Sequence, residues 1–518
     1  MPRHQGINSR GVTVGRPAFD ARPFRRLPFA LNLAPGPWPL TSGAPMLDIV
    51  HKLLSPFAGG VTLSASGQVE VPRPAALAGP AMDGLARAAA FGTAESKDVA
   101  RWLLWEIGQV VGVRPASIHD LYLARGRGES HGFTVPAVNI RGLTYDTARA
   151  LFRAAVRLGA GAFILEIARS EIAYTDQRPA EYVAVLQAAA LREGFRGPLF
   201  VQGDHCQINA KKYATDAEGE VGGLKALIQE EIAAGFYNID VDTSTLVDLA
   251  QPTLDTQQRT NYERAAELAA FVRGLEPAGV TVSVGGEIGE VGGKNSDVHE
   301  LRAYMDGFTS TLAKLAPGKA GLSKISVQTG TSHGGVVLPD GSIADVTIDF
   351  ETLRVLSLEA RDRYGMAGAV QHGASTLPDA AFGKFPEIET AEIHLATAFQ
   401  SLLFDHPALP AAFRAKLYDW LRENAAGERK AGQTDEQFFY TARKKAIGPF
   451  KREWWDLPET VRTTLGAALE KQFTFLLESL RVPGTAAMVA RYVQPPVIRR
   501  AEPPAATAAA PDDADAGE

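Results

Sequence analysis

Only one cysteine, Cys206, occurs among 518 residues, so no intramolecular disulfide can staple this chain, and a lone thiol fits a reducing compartment. Long apolar runs are missing too. None approaches the ~18 residues that a membrane-spanning helix needs, so no membrane partner is expected. Positive charge is not in excess: 53 Lys and Arg against 59 Asp and Glu give a formal net charge of −6, which leaves no basic field to attract nucleic acid. These absences point to a cytoplasmic protein that acts on small molecules.

What is present suffices for a large core, with 45% hydrophobic and 22% charged residues. Both ends read differently from the middle. Residues 1–45 are rich in Arg, Pro and Gly, and Pro35-Gly36-Pro37 excludes a helical signal core there. They read as a disordered leader, or as a non-native start with Met46 as the true first residue; a transit peptide is the alternative. Residues 46–129 read as an N-terminal helical segment, with 85–125 most clearly so. Residues 494–518, including "PPAATAAAPDDADAGE", are too poor in hydrophobics to fold and read as a disordered tail.

Between 130 and 405 short β-branched runs alternate with stretches of helical period. Strands are expected at 134–140, 162–168, 199–203, 236–242, 280–287, 324–329, 367–372 and 390–395. Helices fall between most of them, the seventh connection (376–389) being short. Eight continuous apolar strands with intervening helices predict a closed parallel α/β barrel, the TIM (β/α)8 fold, rather than an open sheet. Past 405 the pattern turns to helices alone (409–424, 434–447, 458–480), so 406–493 reads as a C-terminal helical extension packed on the barrel or on a second subunit. A homo-oligomer is expected on that ground.

Three of the ten histidines sit where such a barrel does its chemistry. His205 follows strand three in "VQGDHC", His333 follows strand six in "QTGTSHGG", and His372 ends strand seven in "VQHGAST". Imidazoles from the C-terminal ends of three strands can converge on one zinc ion and leave a position open for substrate. A lone histidine at a strand end is more often a hydrogen-bonded loop residue, and the other seven, His394 among them, read that way. Asp204, Asp242 and Glu287 cluster at the same face; Asp242 and Glu287 could ligate the ion or brace the histidines. Asp204, adjacent to His205, should point the other way but can still reach the pocket. The glycines after His333 and His372 let backbone N–H groups approach an anion.

"VPAVNI", "GDHC", "VDTS", "GEIGEVGG", "TSHGG" and "QHGAST" occur in the order and spacing of class II fructose-bisphosphate and tagatose-bisphosphate aldolases, which residues 130–405 resemble. The resemblance implies zinc on His205, His333 and His372, with Glu287 as an alternative ligand and Asp242 where an auxiliary metal sits. It implies Asp204 as the acid–base at the C4 oxygen. Gly334, Gly373 and Ser375 would cradle a phosphate together with a monovalent cation, and Asn139 would line the pocket. The implied reaction is reversible aldol cleavage of a ketose mono- or bisphosphate to dihydroxyacetone phosphate and an aldehyde, a step of carbohydrate metabolism of the glycolytic kind.

The sequence departs from that family at several points. Gln202 replaces a histidine, Ala168 replaces a serine, and Lys294-Asn295 replace an acidic pair, leaving Glu290 as a stand-in. Glu392-Ile393-His394-Leu395 replaces the strand-eight Asn-x-Asp-Thr that holds the ketose and its phosphate. A glutamate there would repel a phosphate, while a histidine could bind one. Three rival readings follow: a non-catalytic barrel subunit, which predicts eroded ligands; a zinc hydrolase with Asp204 as base; and a Schiff-base aldolase using Lys324. Lys324 lies near the N-terminal end of strand six, where residues serve stability, so no borohydride adduct is expected.

Overall fold

Eight short runs of mostly buried residues form the centre of the fold in the computed structural model, which describes residues 44–289, 294–330, 338 and 348–503. All of these belong to the unit Thr41–Glu518. The strands are β1 (Val135–Asn139), β2 (Ile164–Ala168), β3 (Gly197–Gln207), β4 (Asn238–Asp242), β5 (Ser283–Glu287), β6 (Lys324–Val327), β7 (Ala369–Gln371) and β8 (Glu392–Leu395). Each pairs in parallel with the next. β8 pairs back onto β1, Glu392 beside Val135 and Leu395 beside Val138, and closes the barrel. The TIM barrel expected from the strand–helix alternation is therefore the observed architecture. Strand β3 runs four residues past its expected end at 203, because a bulge between Gly203 and Cys206 carries it on to Gln207 beside Asp242.

The connecting helices begin and end on local signals. Asp297 caps the helix Val298–Leu315 through the amides of His299 and Glu300, with Glu300 closing a capping box. The helix Thr144–Leu158 buries Ala148, Leu151, Phe152 and Ala155 and stops at Gly159, whose φ of 61° is left-handed. In the seventh connection a 3-10 turn, Ala374–Thr376, and two four-residue helices, Asp379–Phe382 and Lys384–Glu387, stand where no long helix was expected.

The N-terminal segment is mainly helical from Ala44, interrupted by a small antiparallel pair, Thr62–Leu63 with Val69–Glu70, and by one further strand. Gly112 (φ 83°) ends a long helix, and Val113–Ala116 then adds a short parallel strand beside the start of β3. The following helix, His119–Gly126, sends Tyr122 up into the barrel interior. At the other end of the chain, the helix Glu459–Ser479 lies along the barrel's own helix Thr144–Leu158, with Arg153 Nε 2.6 Å from Glu470 Oε2. The segment beyond 494 is docked as far as Arg500, whose amide donates to Glu106 at 2.8 Å. Trp105 Nε1 donates to the Ile498 carbonyl at 2.6 Å, the Ile498 amide donates to Gln109, and Arg499 pairs with Glu106. Residues 1–43 and 504–518 lie outside the described residues. Among the described residues no helix is long and apolar enough to cross a membrane.

Candidate active site

The bulge in β3 builds the centre of the site. His205 takes a left-handed φ of 41°, a strained conformation for a residue with a side chain. A regular strand would send Asp204 and His205 to opposite faces. The bulge instead turns both toward the barrel axis, with His205 Nε2 3.8 Å from Asp204 Oδ1. Asp204 thus points into the site rather than away from it.

Strands β4 and β5 then fix the imidazole. His205 Nδ1 donates to Asp242 Oδ2 at 3.0 Å and lies 3.6 Å from Glu287 Oε2. Asp242 is itself held by the Ser244 amide and hydroxyl on Oδ1, and by Gln207 on Oδ2. Burial alone would push the His205 ring below its ordinary pKa, but Asp204, Asp242 and Glu287 outweigh it and hold the ring well above that value. Burial, with Asp242 beside it, pushes Glu287 well above the usual carboxylate range. His372, at the end of β7, packs its ring 4.2 Å from that of His205 and pairs with Ser326 Oγ at 2.9 Å.

The sequence pattern reads His394 as an ordinary histidine, yet it is buried on β8, with its ring 4.2 Å from that of His372. Its Nδ1 lies 3.0 Å from Asp204 Oδ1 and its Nε2 lies 2.7 Å from Glu392 Oε1. Burial opposes a charge on this ring, but Glu166 and Asp204 raise its pKa well above the ordinary value, so both nitrogens carry hydrogen and donate. Asp204 responds in the opposite sense. Burial would raise it, and the histidines, His205 foremost, hold it well below the carboxylate range.

Beneath this cluster the barrel is filled by charge where branched aliphatics would be usual. Glu166, Asp240, Lys324 and Glu392 come one each from β2, β4, β6 and β8. Lys324 Nζ donates to Gln202 Oε1 at 2.8 Å, to Asp240 Oδ2 at 2.9 Å and to Glu392. Tyr122 donates to the other Glu392 oxygen, and Gln202 Nε2 bridges Glu166 and Glu392 at 2.8 and 2.9 Å. Burial disfavours charge on Glu392, but Lys324, His394 and Gln202 bring its pKa down to about 2. The same pairing keeps Lys324 protonated, above its ordinary value. This ammonium is committed to carboxylates and offers no free amine for a Schiff base. Glu392, neutralised from below, does not confront the substrate mouth as the sequence alone suggested.

Toward the mouth, Asn139 at the end of β1 donates to Asp204 Oδ2 at 2.8 Å and to Glu171 Oε2 at 2.9 Å. Arg141 holds the other Glu171 oxygen at 2.5 Å and reaches Gln400 at 3.1 Å. Lys444, from the C-terminal extension, lies over Tyr174. Its burial, and then the Arg141 charge, pull its pKa down. Lys444 thus feels the charge of Arg141, which Glu171 partly answers, and an added anion would favour the charged form of its ammonium. Gly373 takes a left-handed φ of 69° directly after His372. Ser375 Oγ accepts from the amides of Ala396 and Thr397 at 2.7 and 3.2 Å, and so ties the loop after β7 to the end of β8.

Asp204, His205 and His372 place their ligand atoms within 4.8 Å of one another, and so do His205, Asp242 and Glu287. Imidazoles among carboxylates are the donors that a zinc-like divalent ion takes, so these residues fit such an ion. His333 and Gly334 lie outside the described residues, as does Glu290. Glu166, Gln202, Lys324 and His394 were not anticipated as one assembly; the one signal available was the Glu-x-His spacing, which puts two polar side chains on one face of β8.

The family model described as class-II fructose-bisphosphate aldolase matches residues 126–445, more than half of the chain. Among solved structures, the fructose-bisphosphate aldolase of Campylobacter jejuni is 17% identical, with 73% of this chain and 99% of that chain covered and a TM-score of 0.43. The YdjI aldolase of Escherichia coli K12 is 13% identical, covering 72% and 99% with a TM-score of 0.42. The fructuronate-tagaturonate epimerase of Cohnella laeviribosi is also 13% identical, covering 68% and 82% with a TM-score of 0.45. No curated protein sequence matches this chain.

Proposed function

Because the chain belongs to the class-II fructose-bisphosphate aldolase family, we propose that it is a zinc-dependent aldolase that cleaves and forms a carbon–carbon bond in a ketose phosphate. The observation that carries the reading is the convergence of Asp204, His205 and His372 from β3 and β7, with Asp242 and Glu287 bracing His205 from β4 and β5. The metal ligands would be His205, His372 and His333, with Glu287 in reserve. Such an ion supplies Lewis-acid polarisation of the substrate carbonyl when bound.

The chain's own groups do the rest. Asp204, its two oxygens held by Asn139 and His394, would accept the proton of the C4 hydroxyl as the C3–C4 bond breaks and the C4 oxygen becomes the aldehyde; C3 keeps the bond's electron pair and takes up a proton to complete the dihydroxyacetone product. In the condensation direction it returns that proton. Asn139 keeps the carboxylate aimed, and Asp242 keeps His205 in one orientation. Arg141 and Lys444 would receive an anionic end of the sugar, and the Gly373–Ser375 loop a phosphate, with a monovalent cation beside it. The expected products are dihydroxyacetone phosphate and an aldehyde, made by a cytoplasmic homo-oligomer.

A retro-aldol screen of ketose mono- and bisphosphates, with and without EDTA, tests the reading. Cleavage that EDTA abolishes and zinc restores supports it. Absence of cleavage across the panel, or cleavage that survives full metal removal, overturns it.

A further inference from the structure

Strand β8 places two polar side chains at positions 392 and 394, on one face, as strand alternation requires. His394 stands among four carboxylates: Nδ1 lies 3.0 Å from Asp204 and 3.3 Å from Glu166, and Nε2 lies 2.7 Å from Glu392 and 3.6 Å from Asp240. Glu392 is gripped from below by Lys324, Tyr122 and Gln202, so it cannot follow a movement of the ring. The second oxygen of Asp204 is taken by Asn139 at 2.8 Å. A carboxylate whose two oxygens meet donors on two different strands has one orientation open to it.

We propose that His394 is the positioning residue of Asp204, anchored in turn by the Glu392–Lys324 pair, so that β8 sets the direction in which Asp204 presents its lone pair to the substrate. The inference rests on the reading of Asp204 as the acid–base group. His394 completes two donor sets that could hold an ion, one with Glu166 and Asp204 and one with Asp240 and Glu392; the second is closed to it, and the zinc readout below decides the first. Both nitrogens of His394 are engaged by carboxylates, and the Lys324 ammonium stands beside Asp240 and Glu392, where a second cation would have to go. A purely structural role is also a poor fit. Buried ion networks stabilise a core little better than apolar residues of the same size, and this one runs without a break from the barrel centre to the carboxylate that does the chemistry.

Two variants separate the nitrogens. In His394→Asn the amide takes the place of Nδ1 and can still donate to Asp204, whereas in His394→Gln it takes the place of Nε2 and reaches only Glu392. We expect His394→Asn to keep kcat within about fivefold of the parent and His394→Gln to lose roughly 100-fold, the order expected for an ångström-scale misplacement of a reacting group. KM and the zinc content of both should stay at the parent value. Equal losses in the two variants, or loss of zinc from both, would overturn the inference, the second outcome making His394 a ligand.

Crystal structures of the two variants give a readout independent of turnover. The Asp204 carboxylate should hold its place in His394→Asn and rotate off Asn139 in His394→Gln; an unmoved Asp204 in the Gln variant overturns the inference. If the parent cleaves no ketose phosphate, the aldolase reading fails, while these coordinates still decide the positioning. Glu392→Gln keeps the shape of β8 and weakens only the anchor. It should lower kcat by about tenfold and loosen Asp204, and an unchanged kcat with an unchanged Asp204 would refute the anchoring.

Discussion

Lys324 Nζ lies 2.9 Å from Asp240 Oδ2 at the dry centre of the barrel, and the two meet only because Gly285 stands beside them. A Cβ on Gly285 would come within 2.3 Å of Asp240 Oδ1 and 2.9 Å of Lys324 Cε. Three strands have therefore settled together on a charge pair: β4 and β6 supply the ions and β5 supplies the room. The pair sits one layer below the site and governs Glu392, and through it His394.

Removing the ammonium should be costly. In Lys324→Met the Asp240 and Glu392 carboxyls stay buried without their cation, a change that typically costs about 3–5 kcal/mol. Urea unfolding at pH 7 measures it. A loss below about 1 kcal/mol would show that water or protons already neutralise this layer. The same reasoning predicts no adduct on borohydride treatment with substrate, because the protonated, encircled Lys324 cannot attack a carbonyl.

Asp204→Asn keeps the size of the side chain and the Asn139 contact but cannot accept a proton. General-base removal of this kind costs about 10²–10⁴ in kcat, and bound zinc should be unaffected. A variant within a few-fold of the parent would move the acid–base role elsewhere.

Metal dependence follows from His205 and His372. Substituting either with alanine should lower zinc content, measured by elemental analysis, in step with activity. Asp242→Asn should act more mildly, because it leaves both imidazoles but weakens the bond that orients His205; losses of about 10–100-fold in metal affinity are usual for such a partner. Full zinc retention in both alanine variants would remove them from the ligand set.

Much of this architecture was legible because runs such as "FILEIA" and "YNIDVD" are continuous enough to mark barrel strands, and because His205, His372, Asp242 and Glu287 stand at their C-terminal ends. What stayed hidden depends on register and on backbone shape. Glu166, Asp240 and Lys324 interrupt apolar strands, and only closure of β8 on β1 settles that they share the interior with Glu392. The left-handed His205 and its bulge reverse the direction expected of Asp204, and no residue in "GDHC" announces them. His394 becomes a site residue only once Glu392 is known to face inward. Lys444 comes within electrostatic reach of Arg141 through packing of the C-terminal extension, which no local pattern encodes.

The half-buried Lys444 ammonium predicts how substrate charge is read. Lys444→Met should raise KM for a phosphorylated ketose about tenfold or more, in line with ~1.5–3 kcal/mol for a hydrogen bond to a charged group, with little change in kcat. The effect should vanish for the unphosphorylated sugar. Equal effects on both substrates would take Lys444 out of substrate binding.

Glu231 supplies a pH dependence of stability whose sign can be worked out. It lies fully buried behind β3, where the Cys206 thiol donates to Oε2 at 3.3 Å, and a Cβ on Gly203 would come within 2.6 Å of the same oxygen. Burial in this tight space raises its pKa from 4.5 to about 8. The folded chain therefore binds a proton that the unfolded chain has released between those two values. Stability from this group is fully present below pH 4.5 and is lost as pH rises toward and through 8. Glu231→Gln keeps an oxygen for the Cys206 thiol and has no charge to bury. It should match the parent at pH 4.5 and be more stable by roughly 4–5 kcal/mol at pH 9. Urea unfolding of both proteins across that range reads the difference directly. Parallel curves would mean that Glu231 shares its proton equally with the unfolded state, and that the space behind the bulge is wetter than its packing implies.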